Sequence, residues 1–498
     1  MKKNRILGKV ILASILVLPV LTFAAPEKPP GGDFGGPGGN PPGSSSSSNI
    51  SYNGKTIIDS DEVLNDTTYV SDSASENALL VSGGNSTITK ISVEKTGDDN
   101  SGDSADFYGT NAAILTYNGG TLNIEGGTIT TNGSHANAVF AYGNGTINIS
   151  DATIKTSSNN SGAIMVTGGG TLTANNVTAE TDGNSSAPIR SDRGGGTLTV
   201  NGGTYISHGI GSPVIYSTAD IIVNKANLVA TTSEGVVVEG KNAVTLNGVT
   251  MEATNTKLNS NSETYKAIFI YQSMSGDAEV GTSTFTSKDS KIINNNGEVF
   301  FITNTNTVIT LENNEIINND SNGAFLKATT SKWGNSGSNG GNVTLNMLNQ
   351  KANGDIIIDN ISTLDMTMKN KSVLIGSIDS NNQAKKVTLS LSSDSILSLT
   401  ADTYVDVLEN EDVNNSNIYS NGLYKLYVNG EEVSINTSKY ESSVTNNATT
   451  NITTTSPIIE EKVAKKNNNI IYYIMGGSAL ILIIGGILII NHQRKGNI

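Results

Sequence analysis

The chain repeats itself. Ile114-Leu115-Thr116-Tyr117, Val139-Phe140-Ala141-Tyr142, Ile164-Met165-Val166-Thr167 and Ile189-Arg190-Ser191-Asp192 follow one another at a constant step of 25 residues. A second register runs beside the first: Thr121-Leu122-Asn123-Ile124, Thr146-Ile147-Asn148-Ile149, Thr171-Leu172-Thr173-Ala174 and Thr197-Leu198-Thr199-Val200. Each is followed by a turn and a third short segment, such as Gly127-Thr128-Ile129 or Gly203-Thr204-Tyr205. Within the segments apolar and polar residues alternate with period two, and Val, Ile and Thr dominate, so they read as strands. No segment of the body carries a helical period. Three short strands per repeat, at about 25 residues, are the pattern of a parallel β-solenoid. One turn of such a chain cannot bury its own Ile, Val and Leu, but stacked turns share a continuous core. A β-sandwich array is the rival, and it would not produce a constant step.

The later body continues less regularly, through strands such as Asp220-Ile221-Ile222-Val223, Ala243-Val244-Thr245-Leu246 and Lys386-Val387-Thr388-Leu389. Longer excursions interrupt it near Asn255–Thr264 and Thr329–Gly341. About a dozen turns are expected, a rod roughly 55–60 Å long. Tyr424 to Glu431 contains Asn429-Gly430 and reads as a hairpin closing the C-terminal end.

Composition narrows the function classes. There are no cysteines among 498 residues, which excludes disulfides, thiolate metal sites and a cysteine nucleophile. The 31 basic residues face 45 acidic ones, a net charge of −14, so nucleic acid is not an expected partner. Lys2, Lys3, Arg5 and Lys9, then apolar Val10 to Leu21, then Ala24-Ala25 form a secretory signal pattern. Near the other end Ile470 to Ile490 is free of charge and, as a helix, would span about 31 Å, a bilayer's apolar thickness. The expected organisation is therefore a signal peptide at 1–25 and a disordered Pro/Gly/Ser linker at 26–48. A parallel β-helix at 49–400, a capping segment with the hairpin at 401–435 and a Thr/Asn-rich stalk at 436–469 follow. A transmembrane helix at 470–490 and a cytoplasmic tail at 491–498 complete the chain. The fold class expected is all-β, a single-stranded right-handed parallel β-helix ectodomain with a C-terminal transmembrane α-helix. The ectodomain would lie outside the cell, retained by a single membrane span.

Several strings carry a resemblance: Arg190-Ser191-Asp192-Arg193-Gly194-Gly195-Gly196, Gly211-Ser212-Pro213-Val214-Ile215-Tyr216, Tyr271-Gln272-Ser273-Met274-Ser275-Gly276-Asp277, and Gly337-Ser338-Asn339-Gly340-Gly341. The repeat pattern resembles the right-handed parallel β-helices of the pectate-lyase-like superfamily. These strings are similar to a widespread set of uncharacterised bacterial surface β-helix proteins, often called adhesin-like. The resemblance implies the fold and a surface location, and no activity.

Arg190 and Arg193 are the only arginines between the two hydrophobic ends. If Ile189 faces inward, Arg190 and Asp192 face outward. The repeat then files Phe140, Met165 and Tyr216 with Arg190, and Tyr142 and Thr167 with Asp192. Such an outer strip of rings and charges suits a sugar polymer. The alternative is a surface Arg–Asp pair among ladder residues, covered by a loop. In some pectate-lyase-like enzymes an outward Arg acts as a base beside calcium-binding aspartates. Here Met165, Thr167, Tyr216 and Thr218 flank Asp192, so the resemblance supplies no ligand cluster. Asp98 to Asp106 is rich in oxygen ligands, with Asp98, Asn100, Asp103 and Asp106 a candidate calcium set. Its spacing is not that of an EF-hand, and a solvated acidic loop is the plainer reading. Trp333, the single tryptophan, is either a ligand platform or the plug of one turn. His135 and His208 lie near turns without evident partners. No catalytic constellation is found and no cofactor is required, with calcium the one candidate. The function expected is a non-enzymatic adhesin or glycan-binding module at the cell surface. The alternatives are a polysaccharide lyase or hydrolase and a structural envelope component.

Overall fold

A computed structural model of the chain describes residues 50–99, 101–259 and 262–441. The expected signal peptide, the whole linker, most of the stalk, the expected membrane span and the expected cytoplasmic tail lie outside these residues. Among the described residues no helix is long and apolar enough to cross a membrane.

The described body is a parallel β-solenoid of about 15 turns, with almost no helix. At one strand spacing per turn this is roughly 70 Å of stacked turns, longer than a dozen turns would give. Twelve successive turns each contribute one strand to a twelve-stranded sheet that runs in chain order from Gly54–Ile58 to Ile356–Ile358, and the later turns pair in other sheets. The repeat registers appear here as direct pairs: Ile164 sits between Val139 and Ile189, and Arg190 between Met165 and Tyr216.

The other two faces are joined by a corner. In the early turns single long strands, Asn85–Lys95, Thr121–Thr131 and Thr146–Thr156, bend and serve both ladders. In later turns the strand breaks in two, as in Gly170–Asn175 and Thr178–Thr181. The bend always holds a residue at positive φ: Lys90, Gly126, Asp151, Asn176, Gly202, Lys225 and Gly248 in successive turns. Gly and Asn tolerate this region best, which is why the repeat is rich in both.

Inside, like residues stack in files. One reads Ile124, Ile149, Ala174, Val200, Val223, Leu246, and another Ile129, Ile154, Ala179, Tyr205, Leu228, Met251. Each large side chain so buried stabilises the fold by about 1.5–3 kcal/mol relative to exposure. Parallel pairing continues beyond Thr400, through Val407–Asn410 and Ile418–Tyr419. Leu426–Val428 pairs parallel with Thr403–Val405 and turns back on Glu431–Val433 as an antiparallel hairpin. Both turn residues, Asn429 and Gly430, have positive φ, as a tight hairpin requires.

Candidate functional site

The outer surface of the twelve-stranded sheet carries two files. The first runs Leu80, Leu115, Phe140, Met165, Arg190, Tyr216, Val237, Phe269, Phe301. In the second, Tyr142 pairs with Thr167 and Glu239 with Tyr271. Asp192 and Thr218, each following a paired strand residue, occupy the two intervening levels. The predicted columns are thus in place.

They are not the exposed strip that is one expectation from the sequence; the alternative, an Arg–Asp pair among ladder residues covered by loops, is what forms. Phe140 and Met165 are inaccessible to solvent, Arg190 is 8% exposed and Asp192 5%. Excursions from distant turns fold back over the sheet. The first holds the short helix Asp103–Tyr108, which is pinned when Thr167 Oγ1 donates to the Phe107 carbonyl at 2.7 Å. Its Phe107 ring lies 3.8 Å from the Arg193 guanidinium, and Tyr108 meets the edge of Tyr142 at 5.6 Å. A second excursion brings Asp277 onto Arg193 as an ion pair. A third sets Trp333 against Tyr271 at 4.9 Å, and Asn339 Nδ2 holds that loop by donating to the Ser331 and Trp333 carbonyls.

The cover leaves a cavity of about 310 Å³. Arg190, Asp192, Tyr216, Tyr271, Asp277 and Trp333 are among the residues that line it, as are Asp106, Glu234 and Phe269. The charges are paired around it. Arg190 donates to Asp192 at 3.1 Å, and buried Lys266 meets Glu234 at 3.0 Å. Asp106 meets His135 Nδ1 at 3.0 Å, and His135 Nε2 contacts Asn160. Behind the rings, the hydroxyls of Tyr216 and Tyr271 both donate to Glu239 Oε2, the second at 2.8 Å.

Burial dominates the acid–base properties. It pushes Asp192 from 3.8 up to about 7, against the pull of Arg190 and with the help of Asp277, Asp106 and Glu239. Burial also raises Glu239, although its hydrogen bonds oppose the shift. His135 is raised chiefly by its hydrogen bond to Asp106. Burial alone would raise Glu234, but Lys266 beside it holds it below the usual carboxylate range.

Of the sequence candidates, Arg190, Asp192, Tyr216 and Trp333 therefore converge on one cavity. Arg193 braces its wall through Asp277. Phe140 and Tyr142 do not reach it: they belong to a neighbouring apolar cluster with Leu80, Leu115 and Met165. Of the calcium candidates, Asp98 accepts from the Ser134 N–H at 2.7 Å and Asp106 meets His135; Asn100 and the side chain of Asp103 lie outside the described residues. Both histidines have partners, contrary to the sequence reading: His208 Nε2 lies 3.0 Å from Glu180. Glu180, Asp182 and His208 are close enough to suggest a metal, but Lys155 Nζ already bridges the two carboxylates at 2.7 and 2.8 Å.

Sequence reasoning missed Glu234, Glu239, Tyr271 and Asp277. A signal for two of them existed: Glu239 ends the otherwise apolar strand Val236–Glu239, and Tyr271 ends the apolar run that follows Lys266 in Lys266–Tyr271, both in the file that holds Asp192. The residues flanking Asp192 on its own sheet are those expected, yet carboxylates reach it from further along the file and from the cover. In comparisons with family models, curated proteins and solved structures, nothing matches this chain. Fold and site together define a parallel β-solenoid with a covered polar pocket on its long sheet.

Proposed function

We propose that this protein is a cell-surface binding module that holds a saccharide in the pocket on the covered face. One observation carries the reading: a cavity of about 310 Å³ in which rings of Tyr216, Phe269, Tyr271 and Trp333 stand beside Arg190, Asp192 and Asp106. Rings stack on the apolar face of a sugar while charged groups hydrogen-bond its hydroxyls, and the volume is at the small end of ligand sites, roughly 300–1,000 Å³. The site therefore suits one or two sugar units or a chain end. The signal pattern and the apolar run Ile470 to Ile490 support display on a membrane. Right-handed winding, as in pectate-lyase-like proteins, is favoured by the strong handedness of parallel crossovers.

The experiment is a binding screen of the full-length protein against neutral, acidic and amino-containing oligosaccharides, with Trp333→Ala beside the wild type. Trp333 is on a loop, so its loss should spare the fold. At least a tenfold loss of affinity is expected, and retention of every ligand by the variant would remove the proposal. A second reading, hydrolysis or lyase chemistry, is favoured by Asp192, whose position near 7 suits a proton donor at neutral pH. New reducing or unsaturated ends in the same incubations would select it. Absence of both binding and product would leave a structural role in the envelope.

A further inference from the structure

The pocket's charges do not balance, and the imbalance bears on what it takes. Four carboxylates line it, Asp106, Asp192, Glu234 and Asp277, and a fifth, Glu239, lies behind its tyrosine rings. Three fixed cations are ion-paired with them: Arg190 with Asp192, Lys266 with Glu234, Arg193 with Asp277. Asp106 is met by His135, and Glu239 by two tyrosine hydroxyls. A buried carboxylate without a full counter-charge is costly, so the site either holds protons or attracts a positive group.

We propose that the pocket is selective for an amino sugar, whose protonated amine enters between Asp106 and Asp192 while its ring stacks against Trp333 and Tyr271. This rests on the saccharide reading and names the ligand class within it. Asp106 and Asp192 both line the cavity; Arg190 is ion-paired with Asp192 and also feels the charge of Asp106. An ammonium there supplies the missing charge, and the face of a tryptophan attracts a cation further. An acidic sugar would meet the opposite situation, because each fixed cation is already held by a carboxylate. Burial holds Asp192 near 7, so at neutral pH a fraction of it carries a proton, which the entering amine displaces, and binding releases protons. The other titrating groups facing this point are His135 beside Asp106, Asp277 and Glu239 beyond Asp192, and the Glu234–Lys266 pair across the cavity.

The test uses the full-length protein and three β-1,4-linked disaccharides: of glucosamine, of N-acetylglucosamine and of glucose. The single tryptophan, Trp333, reports binding by its emission. The glucosamine disaccharide is expected to bind at least tenfold tighter than the other two. Calorimetry in two buffers of different ionisation heat should register proton release for it alone. Asp192→Asn should reduce the preference at least fivefold, and the wild-type comparison stands by itself if that variant folds poorly. Equal binding of all three sugars, or preference for the acetylated one, overturns the charge selectivity and leaves the saccharide reading intact. No response to any sugar overturns both.

Discussion

At the scale of single residues, burial fixes behaviour more than residue type does. Tyr205 lies wholly inside the solenoid, and its hydroxyl is buried without a hydrogen-bond partner. Ala179 on the adjacent turn leaves room for the ring, so the size is accommodated and only the hydroxyl is unmatched. Tyr205→Phe is therefore expected to stabilise the protein, by on the order of 1 kcal/mol, as a rise in the thermal midpoint. A clear fall would mean that the hydroxyl has a role not seen here. Asp192 gives a second residue-scale expectation. A carboxyl whose pKa is about 7 when folded and near 3.8 when unfolded binds more protons in the native state. Its contribution to stability is full below about pH 4 and is lost as pH rises through 7. His135, raised above 6.5, acts in the same direction at slightly higher pH. Asp192→Asn should flatten the decline of the thermal midpoint between pH 4 and 7, and an unchanged slope would contradict the assigned burial.

At the scale of elements, the corners do most to enforce the winding. A serine ladder runs along one of them: the Ser161 N–H donates to Ser186 Oγ, and the Ser186 N–H to Ser212 Oγ, both at 2.9 Å. Each turn thus closes the backbone of the one before it. Backbones also approach closely there. A Cβ at Gly209 would lie 1.8 Å from the Gly183 carbonyl oxygen, so no side chain fits without separating two turns. Gly209→Ala is expected to cost about 1–3 kcal/mol, seen as a lower midpoint in chemical unfolding. Much of this scale was legible in the sequence. The registers starting at Ile114, Val139, Ile164 and Ile189 predict the pairs that form, because a strict repeat leaves one way to stack. The cover was not legible. Alternation tells which side of a strand Arg190 occupies, but whether that side meets water depends on excursions such as Asp103–Tyr108 and the loop of Trp333. Those segments have no period, and their partners are far away in sequence: Arg193 and Asp277 are 84 residues apart.

At the scale of the whole solenoid, a regular body carries an irregular cover. The body supplies flat files at fixed spacing, and the cover converts a stretch of one face into a pocket. Asp192 and Glu239 stand in one file with Thr218 between them, roughly two strand spacings, or about 9.6 Å, apart along the stack. That arrangement exists only if neighbouring turns run parallel and in register. Because the chain contains no cysteine, an engineered pair reports this without interference. Thr173 and Thr199 are direct partners on adjacent turns and both are partly exposed. Their Cα atoms are expected about 4.8 Å apart, within disulfide range. Thr245 belongs to the same file two turns beyond Thr199. Mild oxidation of the full-length Thr173→Cys/Thr199→Cys protein should form an intramolecular bridge in nearly every molecule, and Thr173→Cys/Thr245→Cys should form none. A missing 173–199 bridge, or one that forms equally well to position 245, would contradict the parallel stacking on which the pocket depends.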